Sequence, residues 1–461
     1  MQKRVLVITY YWPPSGGAGV QRWLKFIKYF REFGWEPFVY TPSNPEYPVA
    51  DYSLINDIPE NIEIIKQPIR EPYKFYKLFT GIKKSEKVSA AFLSENKKPK
   101  LSQKISVWLR GNLFIPDARC FWINPSVRFL KNYLINNKID LIVTTGPPHS
   151  LHIIGMKLNK KLNIPWLADF RDPWTNIDYY KDLKLSRFAD RKHHKLEKEV
   201  LAGADAVITI GKTIAAEFNL IHKRNYFVIP NGYDDADFAL GEVSASGEVA
   251  KSGEASLSGE VSPLGEASPL RPDKKFSLVY IGSMPKSRNP LVLWKALEEL
   301  INSDLAFAEN IEVKIIGKVD IHIRQSINDY KLDNYIQFSD YVPHNDITVL
   351  LSKAQVLLLL INNTPNAKGI ITGKFFEYLA AKRPILCIGP TDGEIAGIIN
   401  NTACGSVVDF DNTEALKAIL LNYFALYKTG KLKTETRNIV NYSRRELTKT
   451  LTDIFNDLSF K

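Results

Sequence analysis

Val5-Leu6-Val7-Ile8-Thr9-Tyr10-Tyr11-Trp12-Pro13-Pro14-Ser15-Gly16-Gly17-Ala18-Gly19 stands near the start of the 461-residue chain. The run Val5–Trp12 is short, apolar and β-branched, and it does not alternate with polar residues. That pattern predicts a strand buried on both faces, as in a parallel sheet. Met1-Gln2-Lys3-Arg4 before it could mimic the charged start of an export signal. The two prolines and the lack of a small-residue cleavage site argue against one. Gly16, Gly17 and Gly19 let the backbone approach a ligand, and the helix predicted to follow presents its N-terminus there. A dinucleotide fingerprint fits poorly. The spacing Gly17-x-Gly19-x-x-Arg22 lacks the third glycine, and the next strand ends Val39-Tyr40-Thr41 without an acid. A Walker loop is absent too, because Gly211-Lys212-Thr213 is preceded by Ala206 where that loop needs glycine.

Outward from this stretch the same alternation repeats. Strands are expected at 4–10, 37–41, 62–65, 140–144, 165–169, 206–210 and 226–229, with helices at 18–33, 125–136, 149–161 and 185–202. Five copies of Gly-Glu-(Val/Ala)-x-x-x then begin at Gly241, Gly247, Gly253, Gly259 and Gly265. Their Ser, Glu and Pro cannot fill a β-helix core, so 240–272 reads as a disordered linker. Phe276-Ser277-Leu278-Val279-Tyr280-Ile281 opens a second α/β series. Its strands are expected at 312–316, 335–338, 356–360, 384–388 and 406–408, and its helices at 290–302, 322–331, 345–352, 373–381, 393–400 and 413–427. A last amphipathic helix at 434–458 places Ile439, Leu447, Leu451, Ile454 and Phe455 on one face. The fold class is therefore α/β, with two doubly wound Rossmann-like domains, 1–239 and 273–432, and a C-terminal segment 433–461. Such domains keep ligands at the carboxyl ends of their strands, here facing a central crevice.

Composition bounds the function. The chain is 45% hydrophobic and 24% charged, as expected of a folded, water-soluble protein. No stretch approaches the roughly 18–20 apolar residues of a membrane span. Cys120, Cys387 and Cys404 lie far apart. That excludes a disulfide scaffold and a zinc site and fits a reducing compartment. The net charge is +11. Residues 66–119 hold thirteen Lys/Arg and four Asp/Glu, so nine of those charges sit in one segment with Tyr73, Phe75, Tyr76, Phe79, Phe92 and Trp108. Such a stretch suits an anionic bilayer, or is a solvated insertion. No nucleic-acid motif accompanies it.

Four further motifs sit where strands end. Trp166-Leu167-Ala168-Asp169-Phe170-Arg171-Asp172-Pro173-Trp174 offers Arg171 for an anion and Asp169 or Asp172 for a sugar hydroxyl; the alternative is an internal Arg171–Asp pair. Thr144-Thr145-Gly146-Pro147-Pro148-His149 offers His149 to substrate, against a merely solvated loop histidine. Ser283, Lys286 and Arg288 follow Tyr280-Ile281-Gly282, where two cations can neutralise a diphosphate leaving group. Thr372-Gly373-Lys374-Phe375-Phe376-Glu377 reads as a helix start with Thr372 as N-cap. Lys374 and Glu377 then share a face, which suits a phosphate and a ribose, or a surface pair of their own.

Together with Ile229-Pro230-Asn231-Gly232 and Lys374-x-x-Glu377-Tyr378-Leu379-Ala380 before Arg383-Pro384, these motifs resemble glycosyltransferase family 4 with the GT-B fold. The resemblance spans nearly the whole chain. It implies a retaining transferase with a nucleotide-sugar donor in the C-terminal domain and an acceptor on the N-terminal one, needing no metal or other cofactor. It implies that Glu377 holds the donor ribose. Lys286 or Arg288, Lys374 and the N–H groups of Gly16 and Gly17 would meet the diphosphate. Ser283, Tyr341, Thr372 and Gly373 complete the expected donor set, and Asp172, His149 and Arg171 the catalytic set. The last helix is implied to cross back to the N-terminal domain. One departure is Gly369, where the family often has a first glutamate; Lys368, Asn366 or backbone groups would replace it. The expected partners are a nucleotide sugar, a glycan or lipid-linked acceptor and an anionic membrane surface, not nucleic acid. The expected setting is cytoplasmic and peripheral to the membrane, in surface polysaccharide or lipopolysaccharide synthesis. A nucleotide-sugar epimerase and a non-catalytic sugar-nucleotide binding protein are the competing readings.

Overall fold

A computed structural model describes residues 2–47, 50–71, 107–109, 111–177, 180–238, 273–340, 342 and 344–459. The repeats of 240–272, most of the basic stretch 66–119 and Tyr341 lie outside the described residues. The chain divides into two compact units, Met1–Asn231 with Arg444–Lys461, and Gly232–Ser443.

The first unit runs β1 (Lys3–Ile8), α1 (Ala18–Phe30), β2 (Trp35–Pro42), β3 (Glu63–Gln67), α2 (Cys120–Asn136), β4 (Leu141–Gly146), α3 (Ser150–Leu162), β5 (Trp166–Phe170), α4 (Arg187–Gly203), β6 (Ala206–Thr209), α5 (Lys212–Ile221) and β7 (Phe227–Val228). Its seven strands are ordered β3-β2-β1-β4-β5-β6-β7, and every described pairing is parallel. Leu6 and Ile8 join one apolar cluster, while Val5 and Val7 join another on the opposite face. Burial on both faces is what a non-alternating apolar strand requires.

Helix α2 begins at Cys120, five residues before Pro125, although a proline-led start at 125 was expected. Pro125 lacks the N–H that would bond the carbonyl of Phe121. Phe121 is an exposed residue, so water can serve that carbonyl instead.

The second unit runs β8 (Phe276–Ile281), α6 (Leu291–Ser303), α7 (Leu305–Asn310), β9 (Ile311–Ile316), α8 (Ile321–Asp329), β10 (Ile336–Ser339), α9 (His344–Lys353), β11 (Val356–Leu360), α10 (Gly373–Ala380), β12 (Ile385–Ile388), α11 (Glu394–Thr402), β13 (Gly405–Val408) and α12 (Thr413–Lys428). The sheet order is β10-β9-β8-β11-β12-β13. Val356, Leu358 and Leu360 face one cluster and Leu357 and Leu359 the other.

Helix α13 (Arg444–Ser459) belongs to the first unit and starts ten residues later than the expected 434. Residues 433–443 stay with the second unit, where Ile439 packs, so Ile439 does not share the α13 face. Leu447, Leu451, Ile454, Phe455 and Leu458 pack with Trp23, Phe26, Phe30 and Trp35. The Phe455 ring meets Phe30 at 5.5 Å and Trp35 at 5.3 Å. Each fully buried side chain of this kind contributes about 2 kcal/mol.

Candidate functional site

In both sheets the strand order reverses beside the first strand, between β1 and β4 and between β8 and β11. The loops after β1, β4, β5 and β8, with the start of α10, carry the described candidate residues, at the strand ends where doubly wound sheets keep their sites.

In the second unit β8 leads into Gly282, whose φ is +122°. A Cβ there would stand 2.8 Å from Lys374 Nζ, so glycine serves both the turn and the lysine. The hydroxyl of Tyr280 donates to the carbonyl of Ser283 at 2.8 Å. It accepts from Lys374 Nζ at 2.9 Å and from Arg288 at 3.1 Å. Arg288 also donates to Asn362 Oδ1 at 2.8 Å and to the Ser283 carbonyl at 3.0 Å. One phenol oxygen thus gathers two cations. Burial, with Arg288 nearby, pulls the Lys374 pKa below the ordinary 10.5. An arriving anion would relieve that cost.

Lys374 lies in the first turn of α10, and Glu377 follows one turn on, half-buried. Thr372 occupies the N-cap position, but its side chain caps no N–H, contrary to expectation. Its buried hydroxyl has no partner among the described residues. Gly373 begins the helix, so an N-terminus, a lysine and an unused hydroxyl converge. The surface Lys374–Glu377 pair is not where the ammonium goes, since it turns to Tyr280. Lys286 and Ser283 are exposed, whereas Arg288 is tethered. Near Gly369, Lys368 is held on the surface by Asp392 at 2.6 Å, and Asn366 takes the Thr364 hydroxyl at 2.8 Å.

In the first unit the loops after β1, β4 and β5 come together. Gly17 precedes α1 with φ +94°, and Gly16 adjoins it half-buried. Arg171 receives its place from several sides. Its N–H bonds the Gly146 carbonyl at 3.0 Å, its guanidinium bonds the Pro147 carbonyl, and its Nε has no partner among the described residues. A Cβ on Gly19 would stand 2.6 Å from a terminal nitrogen of this guanidinium, so the bare backbone leaves Arg171 room in this position.

The expected Arg171–Asp pair does not form with Asp169. Asp169 is buried and bound by Arg22 at 2.9 Å, Trp23 Nε1 at 2.6 Å and Thr145 Oγ1 at 2.8 Å. Although burial opposes its charge, these donors hold its carboxyl below the usual range. It has no capacity left for a sugar. Arg22 also donates to the Pro230 carbonyl at 3.0 Å and to Asn231 Oδ1 at 3.3 Å. The Pro-Asn-Gly motif is therefore tied to β5 through a residue that the sequence reading noted only for not being glycine. Asp172 is half-buried beside this network.

His149 is not a solvated loop residue. It is buried, and its ring stacks on Trp174 at 4.6 Å and 1°. Burial, with His152 and Arg171 nearby, holds its pKa well below 6.5, so it is neutral. Its Nδ1 has no partner among the described residues. Trp174 donates to His193 Nδ1 at 3.0 Å, and Glu197 takes the Thr175 hydroxyl at 2.5 Å and the Trp174 N–H at 3.2 Å. Helix α4 thereby fixes the loop that presses on His149. Among the described residues no cluster of three or more His, Cys, Asp or Glu has metal-binding geometry.

Two sequence families match this architecture. Glycosyltransferase Family 4 matches residues 88–237, and Glycosyl transferases group 1 matches residues 265–439. The chain is a family 4, group 1 glycosyltransferase. Its fold is GT-B. A glycosyltransferase from Rickettsia africae has a TM-score of 0.59 at 16% identity, over 99% of this chain and 98% of that one. A sucrose-phosphate synthase from Thermosynechococcus elongatus has a TM-score of 0.59 at 14% identity, over 99% of each chain. The Anabaena protein HepE, solved in complex with UDP-glucose, has a TM-score of 0.56 at 10% identity, over 98% of this chain and 99% of that one. No curated protein matches the sequence. Family membership favours a transferase over the epimerase reading.

The roles of Tyr280, Trp174 and Glu197 in the transferase are not legible from the motifs alone. Tyr280 lay inside a buried strand, and strand tyrosines are usually core. Trp174 and Glu197 are eclipsed by the charged residues around them. The helical spacing of His193 and Glu197, i and i+4, was the available signal for an inward polar face.

Proposed function

We propose that this transferase takes a sugar from a nucleotide-sugar donor and passes it, with retention, to a glycan or lipid-linked acceptor. The setting is cell-surface polysaccharide or lipopolysaccharide synthesis at a cytoplasmic membrane face. The carrying observation is the Tyr280 hydroxyl bridging Lys374 and Arg288 at the start of α10. Two fixed cations and a helix N-terminus match a nucleoside diphosphate, whose charge grows as it leaves. Glu377 would accept from the ribose hydroxyls. Lys286, exposed, would add charge at the rim, and Gly373 and Thr372 would donate to phosphate. Gly16 and Gly17, at the start of α1, would offer backbone N–H groups to an anion.

On the acceptor side, neutral His149 with a free Nδ1 would hydrogen-bond a sugar hydroxyl, Arg171 would hold an anionic group, and Asp172 would orient the acceptor. The acceptor hydroxyl would attack from the face that the diphosphate leaves, its proton passing to the departing phosphate oxygen, with no metal ion required. HepE being solved with UDP-glucose makes uridine donors the first to try. The test is a thermal-shift screen of nucleotide sugars followed by transfer to membrane lipid extracts, with the product anomer read by NMR. Stabilisation by a nucleotide sugar and a retained anomer are expected. An inverted anomer would overturn retention, and no transfer with any donor would overturn the whole reading.

A further inference from the structure

The transferase has eight tryptophans, and seven are no more than 3% exposed. The eighth, Trp108, is 44% exposed. It is not alone. Leu113, Phe121 and Phe188 are exposed by 63%, 55% and 74%. The segments bearing them are tied together. Asn112 accepts from the Ser186 N–H at 2.6 Å and donates to the Lys184 carbonyl at 3.4 Å, which joins 107–113 to the start of α4. The rings of Phe114 and Phe121 meet at 5.8 Å, which joins it to the start of α2. The stretch that bears Phe188 is rich in exposed cations: Lys181, Lys184, Arg187, Arg191, Lys192 and Lys195. The nearby acids are fewer. Asp182 is exposed, Asp190 takes Tyr180 and His194, and Glu199 lies 3.9 Å from Lys195.

We infer that Trp108, Leu113, Phe121 and Phe188 form a docking surface that enters the headgroup layer of an anionic phospholipid bilayer, with the α4 cations against the lipid charge. The reading rests on the proposed membrane setting of the acceptor and assigns it to particular side chains. Large apolar side chains grouped on a surface mark an interaction site. Aromatic rings with Lys and Arg around them suit the bilayer interface, where apolar bodies sink and cations stay at headgroup level. A nucleic acid would stack on the rings but offers nothing to Leu113. The neighbouring 72–106 segment carries nine Lys and two Glu. Those charges would add to the attraction toward anionic lipid.

Trp108 also supplies the readout, because it is the one tryptophan that a water-borne quencher can reach easily. The full chain, without donor or acceptor, is mixed with phosphatidylcholine vesicles with or without phosphatidylglycerol. With phosphatidylglycerol, acrylamide quenching should fall and emission shift to the blue, and added salt should reverse both. Trp108→Phe should abolish the signal. Leu113→Ala and Phe188→Ala should each weaken partitioning about tenfold. Leu220→Ala, a change at a 90%-exposed leucine on α5, should not. Vesicle binding that leaves Trp108 quenchable, equal protection by soluble heparin, or equal loss with Leu220→Ala would overturn the assignment. Because no turnover is measured, failure here removes the membrane setting and leaves sugar transfer standing, whereas absent transfer with vesicle binding retained removes the chemistry and leaves the surface.

Discussion

Lys374 Nζ lies 2.9 Å from the Tyr280 hydroxyl and 4.1 Å from the centre of its ring. A lysine on a helix start is thereby folded back onto a strand tyrosine that also holds Arg288. The arrangement keeps two like charges close before any ligand arrives. It exchanges some stability for readiness toward an anion, as preorganised sites do.

The pH dependence of nucleotide binding follows. The pKa of Lys374 is depressed from 10.5, first by burial and also by Arg288. A bound diphosphate favours the charged form and raises that pKa again. UDP affinity should therefore be greatest below the depressed value and fall as pH rises through it, before 10.5 is reached. Calorimetry with UDP in buffers of different ionisation enthalpy should show proton uptake on the alkaline side. Lys374→Met should lose ten- to a hundredfold in affinity, in the range of a charged hydrogen bond of about 1.5–3 kcal/mol. It should also flatten the pH slope. A slope that persists in the variant would assign it elsewhere.

Glu377 can be separated from the phosphate cradle. If it holds the ribose, Glu377→Ala should weaken UDP about tenfold, the loss of a carboxylate hydrogen bond. Inorganic pyrophosphate, which has no ribose, should bind the variant as it binds the parent. Equal loss for both ligands would place Glu377 at the phosphates.

The sheets were the legible part of this molecule, because unbroken apolar runs such as Val356–Leu360 admit one explanation. The helix ends were less so. The 434 start failed because Ile439 fits the α13 period by spacing alone but packs in the other unit. At the site, charged residues on strand-end loops were visible, while their tethers were not. Arg22 looked like a missing glycine, and Asp169 looked like a sugar ligand. Only three-dimensional pairing turns both into structure. His149 was undervalued for the same reason, since Trp174 lies 25 residues away in sequence.

The Arg22–Asp169 pair makes a stability prediction. Both side chains are fully buried, and Asp169 has three further donors in Trp23, Thr145 and the second Arg22 nitrogen. Asp169→Asn leaves a buried guanidinium without its counter-charge and turns an amide N–H₂ toward other donors. A cost of about 3–5 kcal/mol is expected, a large part of a typical stability of about 5–15 kcal/mol. Urea unfolding should show a lower midpoint. Arg22→Met with Asp169→Leu should be milder than Asp169→Asn, since neither charge is then stranded. A double variant worse than the single would show that the Pro230 and Asn231 contacts matter more than the pair.

Acid should unfold the first unit early. Burial pushes the pKa of His152 from 6.5 to about 3, and His149 and His193 shift the same way. In the unfolded chain these imidazoles take protons from about pH 6.5 down, while the folded form resists. The unfolded state then binds more protons, so stability falls as pH drops below 6.5 and goes on falling toward 3. Glu197 acts in the opposite sense, because burial raises its pKa and its folded form takes up a proton above 4.5. Three histidines against one glutamate leave the net fall in place. Urea midpoints measured at successive pH values should decline from pH 6.5 or just below, ahead of the carboxylate range. His152→Gln keeps a hydrogen-bonding group for Thr144, which now meets His152 Nδ1 at 2.9 Å. That variant should make the decline shallower. If the parent holds its midpoint until the carboxylates titrate, the buried neutral histidines are not what limits acid stability.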